Sequence, residues 1–130
     1  MKKLYLILIL IPLSLFAANY DSEAATSVTM NGKYVWNSRP DDSGELKAVF
    51  TQTETGRWTV AFHFHFRGSD HVYEGTAEGN PKDGELKGTV KNEEKSRTFY
   101  FEGTSKNGSF TGTHSEEGRG DTGTLQLASR

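Results

Sequence analysis

The sequence predicts an all-β domain, an eight-stranded antiparallel up-and-down meander that closes into a β-barrel. Apolar and polar residues alternate in short runs, which is typical of strands with one buried face. Turn residues fall at regular intervals between these runs, and no segment carries a helical apolar stripe. Glycines lie two positions from aromatic residues, as in Phe101-Glu102-Gly103 and Phe110-Thr111-Gly112. Alternation does not distinguish a barrel from a two-sheet β-sandwich, which is the alternative.

Eight runs are predicted as strands, and the linkers between them are short. The runs cover residues 33–37, 45–52, 57–66, 71–78, 85–91, 97–103, 109–115 and 121–127. Linkers such as Glu54-Thr55-Gly56, Gly68-Ser69-Asp70 and Asn107-Gly108 contain the residues that hairpin turns prefer. Consecutive strands are therefore expected to pair in an antiparallel manner.

Hairpin registers consistent with these linkers bring apolar residues and glycines face to face. The expected opposite pairs are Trp36 with Leu46, Phe50 with Trp58, Phe64 with Tyr73, Tyr73 with Val90, Gly88 with Phe101, Gly103 with Phe110, Phe101 with Gly112, and Gly112 with Leu125. An aromatic ring over a glycine restores burial there and fixes the register. Inward glycines also allow the bending that closes a barrel.

The first residues have the pattern of a secretory signal peptide. Lys2 and Lys3 precede an apolar run at 4–16 and the pair Ala17-Ala18, which predicts a signal at 1–18. The apolar run is shorter than the roughly 20 residues that a membrane-spanning helix needs. We therefore expect a secreted or periplasmic protein with no integral membrane segment once the signal is removed. A flexible N-terminal arm is expected at 19–31 and one barrel domain at 32–130.

The amino-acid composition bears on how the protein is stabilised and on which partners it can bind. The chain has no cysteine, so packing alone must stabilise it in an oxidising compartment. Its formal net charge is −2, and loss of Lys2 and Lys3 makes the charge more negative by two. Such a charge disfavours nucleic acid and anionic membrane surfaces as partners.

The sharpest local motif is the alternating string at 62–66. His63 and His65 point to the same side of a strand and can share a metal ion. The three phenylalanines of the string are in phase with the predicted core, which places both histidines on the outer face, where His63 can pair with Glu74. A bulge near Ala61 would reverse this orientation. A metal-dependent enzyme using His63 and His65 is therefore only the third hypothesis, and no catalytic motif or cofactor is predicted.

His114 differs because it follows Phe110 and Gly112 on the predicted inward face. An inward histidine is either a hydrogen-bonded core residue or the mark of a cavity. The neighbouring pair Glu116-Glu117 is interpreted as solvated loop charge.

Several short motifs resemble those of calycin-type barrels, the lipocalin and avidin architecture. The first strand opens with Gly32-Lys33-Tyr34, where these families commonly have Gly-x-Trp, and the segments 84–89 and 108–113 match Gly-x-Leu/Phe-x-Gly-Thr. The resemblance implies a cup for a small apolar or amphiphilic ligand. Its lining would consist of Trp36, Trp58, Tyr73 and His114.

The sequence thus favours a non-catalytic binding protein of unknown specificity. Small barrels can also be filled by their own side chains. In that case the function would belong to the loops and the outer surface, as in an envelope or inhibitor protein that binds another protein.

Overall fold

A computed structural model describes residues 26–129. The predicted signal peptide and residues 19–25 of the predicted arm lie outside this range. The strands are β1 (Ser27–Trp36), β2 (Gly44–Glu54), β3 (Arg57–Phe66), β4 (Ser69–Gly79), β5 (Gly84–Asn92), β6 (Arg97–Lys106), β7 (Ser109–Glu116) and β8 (Thr122–Ser129). Over residues 26–129 there is no helix with the length and hydrophobicity to cross a membrane.

The eight strands form a closed antiparallel barrel in sequence order. Each strand pairs with the next, and β1 pairs with β8 from Met30 opposite Ser129 to Trp36 opposite Gly123. This pairing closes the sheet, so the predicted barrel is confirmed over the β-sandwich. Closure gives each of these eight strands a partner on both sides.

The first strand begins at Ser27, earlier than the predicted start at residue 33. Residues 27–31, which the sequence predicts as part of the arm, pair with β2, and Met30 and Asn31 also pair with β8. Val28 and Met30 are buried, and the residues beside them are exposed. The alternation that identifies β1 therefore extends through this short segment.

Most predicted registers are displaced by an even number of residues. Gly88 faces Phe101 and Gly112 faces Leu125, as predicted. The pairs expected for Trp36–Leu46, Phe50–Trp58, Phe64–Tyr73, Tyr73–Val90, Gly103–Phe110 and Phe101–Gly112 are wrong by two or four residues. An even displacement keeps every side chain on the same face of the sheet. The predicted faces of these residues are thus correct, although six of the eight predicted pairs are not.

The turn between β3 and β4 explains one of these displacements. Its two residues are Arg67 and Gly68, with φ of 51° and 83°, as a two-residue type I′ hairpin requires. The linker predicted from the sequence begins one residue later. As a result Phe62, and not Phe64, lies opposite Tyr73.

The predicted packing of rings over glycines is present in the interior. A Cβ atom built on Gly88 would lie 2.6 Å from the ring of Phe101. A Cβ built on Gly112 would lie 2.6 Å from the ring of Phe110, which also covers Gly103. These rings occupy the space that larger side chains would need.

One end of the barrel is solid, and we call it the closed end. It is the end at which β1, β3, β5 and β7 begin. Met30, Phe50, Leu86 and Phe110 are almost fully buried in this half. The β4–β5 loop also buries Pro81, and the Gly108 amide donates a hydrogen bond of 3.0 Å to the Lys82 carbonyl. The loop therefore covers the barrel interior.

Candidate functional site

The opposite end of the barrel contains an aromatic cavity, and we call it the open end. Inward side chains of β1, β3, β4 and β6 converge there, because the alternation of each strand places an aromatic residue near that end. The cavity has a volume of about 70 Å³. Its aromatic lining includes Tyr34, Trp36, Phe64, Tyr73 and Phe99.

The rings of this lining pack mainly edge to face. The ring centroids of Tyr34 and Phe64 are 5.6 Å apart, and those of Tyr73 and Phe99 are 5.2 Å apart. Both separations lie in the favourable range for aromatic pairs. The lining is therefore a connected set of rings, although Phe64 and Phe99 remain partly exposed.

His114 is buried against the indole of Trp36, with ring centroids 4.4 Å apart. Its Nε2 atom donates a hydrogen bond of 3.1 Å to the Val35 carbonyl. Burial lowers the pKa of His114, while the bond to Val35 and the charge of Asp121 act in the opposite direction. The side chain is thus a neutral imidazole near pH 7. Its protonated Nε2 fixes the tautomer and leaves Nδ1 as a hydrogen-bond acceptor.

An arginine–glutamate pair lies at the rim of the cavity. Arg97 donates from Nε to Glu116 Oε2 at 3.0 Å and from Nη2 to Glu116 Oε1 at 2.8 Å. The Glu116 side chain is 8% exposed and that of Arg97 is 37% exposed. The hydrogen bond from Arg97 lowers the pKa of Glu116. The pair is therefore ionised, with the carboxylate inside and the guanidinium facing both cavity and solvent.

Neither member of this pair is among the site residues predicted from the sequence. The interpretation of Glu116 as solvated charge is wrong, because the residue is buried and doubly hydrogen-bonded. The inward orientation of Glu116 could be predicted from the alternation of β7, because Glu116 follows the inward His114 by two residues. Arg97 likewise precedes the inward Phe99 by two residues in β6. Extending the alternation to the strand ends would have identified both.

Outside the rim lies a shallow depression of about 230 Å³, which we call the mouth. It shares Trp36, Phe66 and Arg97 with the inner cavity. Three further arginines and one carboxylate belong to its lining, namely Arg39, Arg67, Arg119 and Glu116.

The mouth arginines are held by acidic neighbours in the loops. Arg39 donates to Asp121 at 2.9 Å and lies 3.4 Å from Asp42. Arg119 is 3.5 Å from Glu116. These arginine side chains are more than half exposed, so the pairs contribute little to stability but keep the cations around the mouth.

One buried polar atom of the cavity is unsatisfied. The Tyr34 hydroxyl lies beside Gly44 and has no hydrogen-bond partner among the described residues. Burial raises the pKa of Tyr34, and the charge of Asp42 raises it further. The phenol is therefore neutral and has an unused donor and acceptor.

Three of the four predicted site residues meet at this cavity, and the fourth does not. Trp36, Tyr73 and His114 line it. Trp58 is inward and buried but belongs to the closed half, where its Nε1 atom donates a 2.9 Å hydrogen bond to the Gly79 carbonyl. Trp58 is placed near the start of β3, which lies at the end opposite the cavity.

The two histidines of the 62–66 string are exposed on the outer face, as their phase predicted. His65 Nδ1 lies 2.8 Å from Asp70 Oδ1. His63 faces Val72, so its expected partner Glu74 is not opposite it. Across residues 26–129 no group of three or more His, Cys, Asp or Glu side chains is arranged to hold a metal ion.

Comparison of the chain with protein-family models, curated proteins and solved structures gives no match. The class that the structure defines is a closed eight-stranded antiparallel β-barrel with a solid end and an aromatic cavity at the other end.

Proposed function

We propose that this protein is a non-catalytic binding protein that holds a small amphiphilic ligand at the open end of a calycin-like barrel. The observation that carries the proposal is the aromatic cavity of about 70 Å³ that adjoins a charged mouth. Ligand sites in proteins are typically concave, mostly apolar and supplied with a few placed polar groups. Here the polar groups are Tyr34, His114 and the Arg97–Glu116 pair.

The cavity volume limits what can bind. Pockets for drug-sized ligands have volumes of about 300–1,000 Å³, so the inner cavity alone is too small to enclose one. A ligand would insert an apolar part among the rings of Trp36, Tyr73 and Phe99 and keep its polar part in the mouth. The partly exposed Phe64 and Phe99 are the side chains best placed to move aside.

We further propose that the protein acts outside the cytoplasm. Lys2 and Lys3, followed by an apolar run and the pair Ala17-Ala18, support export. The absence of cysteine means that folding there needs no disulfide chemistry.

Binding can be tested with N-phenyl-1-naphthylamine, a neutral dye whose fluorescence rises in apolar surroundings. The chain has two tryptophans, one in the cavity and one at the closed end. We expect saturable binding, with energy transfer from Trp36 to the dye in the Trp58→Phe variant. The same measurement on Trp36→Phe should show weaker transfer, because Trp58 lies at the other end of the barrel.

The variant Trp36→Ala should weaken dye binding at least fivefold, and Trp58→Phe should leave it unchanged. Thermal unfolding of each variant serves as the control, because a loosened core also binds such dyes. Absence of saturable binding by the folded protein would contradict the proposal. That result would favour the alternative of a filled barrel whose outer surface binds a protein.

A further inference from the structure

We infer that the ligand is an organic anion, a compact apolar body bearing one carboxylate, and that Arg97 is its recognition residue. This inference rests on the proposed function and adds the chemical class of the ligand. It is carried by the geometry of the Arg97–Glu116 pair and by the charges around the mouth.

The guanidinium of Arg97 has an edge that Glu116 does not use. Glu116 accepts hydrogen bonds from Nε and Nη2 of Arg97, which leaves the two Nη1 protons and the second Nη2 proton. A guanidinium can engage a second carboxylate along its Nη1–Nη2 edge in the same planar, bidentate manner. Glu116 thus holds the side chain in place and leaves this edge for a ligand.

The hydroxyl of Tyr73 is the other polar group near Arg97. Burial raises the pKa of Tyr73, the charge of Arg97 lowers it and the charge of Glu116 raises it. The phenol is therefore neutral and can donate its own proton. A carboxylate at the free edge of Arg97 would be a charged acceptor for both side chains.

The charges that line the mouth are unbalanced. The lining contains Arg39, Arg67, Arg97 and Arg119 against the single carboxylate of Glu116. Asp42 and Asp121 pair with Arg39 from the loops but do not belong to the lining. Asp42 also lies 3.9 Å from Arg67, so four arginines face three carboxylates. The mouth and its loop neighbours thus carry a formal net charge of +1, although the whole chain is net negative. Such a concave cationic surface attracts small anions.

Arg97 lies between an apolar and a charged environment. It lines both the aromatic cavity and the mouth, and its guanidinium carbon lies 5.1 Å from the ring centroid of Phe99. A carboxylate bound to Arg97 would therefore leave its apolar body directed at the rings. The buried Tyr34 hydroxyl, which lacks a partner among the described residues, is a further donor in the same cavity.

Cavity size favours a compact body over a long chain. A closed apolar cavity of about 150 Å³ accommodates one benzene ring. The inner cavity is about half as large, so one ring would occupy it together with part of the mouth. One- or two-ring carboxylates have this size, and the surrounding rings offer them edge-to-face contacts.

The test compares three probes of similar shape by isothermal titration calorimetry. They are naphthalene-2-carboxylate, the neutral naphthalene-2-carboxamide and the cationic naphthalen-2-ylmethylamine. We expect the carboxylate to bind at least tenfold more tightly than the carboxamide, as a charge-assisted hydrogen bond would give. The preference should shrink as salt is added, because the mouth is exposed.

Two variants test whether the Arg97–Glu116 pair causes the preference for the carboxylate probe. Arg97→Gln should remove the advantage of the carboxylate, so that the carboxylate and the carboxamide bind with affinities within about twofold of each other. Glu116→Gln removes a negative charge but keeps a hydrogen-bond acceptor for Arg97, so it should tighten carboxylate binding threefold to tenfold. Should Arg97→Gln fold poorly, Arg97→Lys takes its place, because it keeps the positive charge but cannot make the planar bidentate contact, and it should reduce the preference for the carboxylate. Lys47→Gln, in the outer surface of β2, is the control and should change neither probe.

The outcomes separate this inference from the proposed function. Equal binding of carboxylate and carboxamide would overturn the inference and leave the proposed function standing. Tighter binding of the amine would also overturn it and assign recognition to Glu116. Failure of all three probes, and of the neutral dye, would overturn both.

Discussion

The two ends of this barrel use the same strands for different purposes. At the closed end, Met30, Phe50, Leu86 and Phe110 fill the interior, and Pro81 covers it. At the open end the rings leave a cavity, and Phe64, Phe66 and Phe99 remain partly exposed. The open end also holds the inward charged pair of the described residues, Arg97 with Glu116.

This difference indicates where stability and function reside. A well-packed apolar interior stabilises the fold, and each atom removed from it costs free energy. Polar groups inside a barrel cost free energy unless they are paired, so an imperfectly packed, partly polar end is typical of a site that binds something. We therefore expect substitutions at the closed end to change stability and those at the open end to change binding.

The largest contrast is expected between two phenylalanines. Phe110→Ala should destabilise the protein by about 3–5 kcal/mol, because Phe110 is fully buried and covers Gly103 and Gly112. Phe66→Ala, at the partly exposed rim, should cost less than about 1.5 kcal/mol. Urea unfolding followed by circular dichroism measures both. Equal losses would show that the two ends are packed alike.

Substitution of two glycines by alanine tests the contrast between the packed interior and the exposed loops by adding a methyl group at each position. Gly112→Ala places a methyl group against the Glu102 carbonyl oxygen and the Phe110 ring and should cost about 1–3 kcal/mol through overpacking. In the β7–β8 loop, a methyl group added to Gly120 would have no neighbour within 4 Å, so Gly120→Ala should change stability by less than about 0.5 kcal/mol. Shifts in the urea midpoint compare the two. A tolerated Gly112→Ala would contradict the tight packing around Gly112.

A smaller effect is expected in the pH dependence of the free energy of unfolding, to which the buried His114 of the open end contributes. Burial lowers the pKa of His114 in the folded protein, so the unfolded chain binds its proton first as pH falls. Stability should therefore be full above about pH 6.5 and decline below it, by at most about 1.4 kcal/mol per pH unit. Urea midpoints at pH 7.5 and 5.5 measure this decline.

His114→Phe should flatten the decline, because no titrating group is then buried at that position. The matched control is His63→Asn, which removes a histidine that is exposed on the outer face. A decline of the same size in wild type and His114→Phe would assign the effect to other groups.

The strand number and the face of each strand could be predicted from the sequence, because side-chain direction has a period of two. The closed barrel was predicted from the inward glycines, since alternation alone also allows a β-sandwich. The sequence was not sufficient for the registers, since alternation is unchanged by a shift of two residues. The β3–β4 turn shows the cause. Gly68-Ser69-Asp70 and Arg67-Gly68 are both plausible turns, and only the backbone of Arg67, with its positive φ, distinguishes them.

The candidate site could be predicted only in part. Trp36, Tyr73 and His114 follow from inward phase, but phase does not say how far along the barrel a residue lies. For this reason the predicted lining of the cup includes Trp58, which points inward but lies at the closed end. Arg97 and Glu116 were missed because charged residues at strand ends usually face solvent, and only pairing across β6 and β7 allows their burial.

A two-dimensional ¹H–¹⁵N NMR titration with neutral naphthalene-2-carboxamide would show at which end of the barrel a ligand binds. The two tryptophans give two indole signals, one from each end. We predict that the Trp36 signal shifts saturably while the Trp58 signal, whose Nε1 proton is bound to the Gly79 carbonyl, stays fixed. Equal shifts of both signals, or no shift of the Trp36 signal, would contradict a binding site confined to the open end.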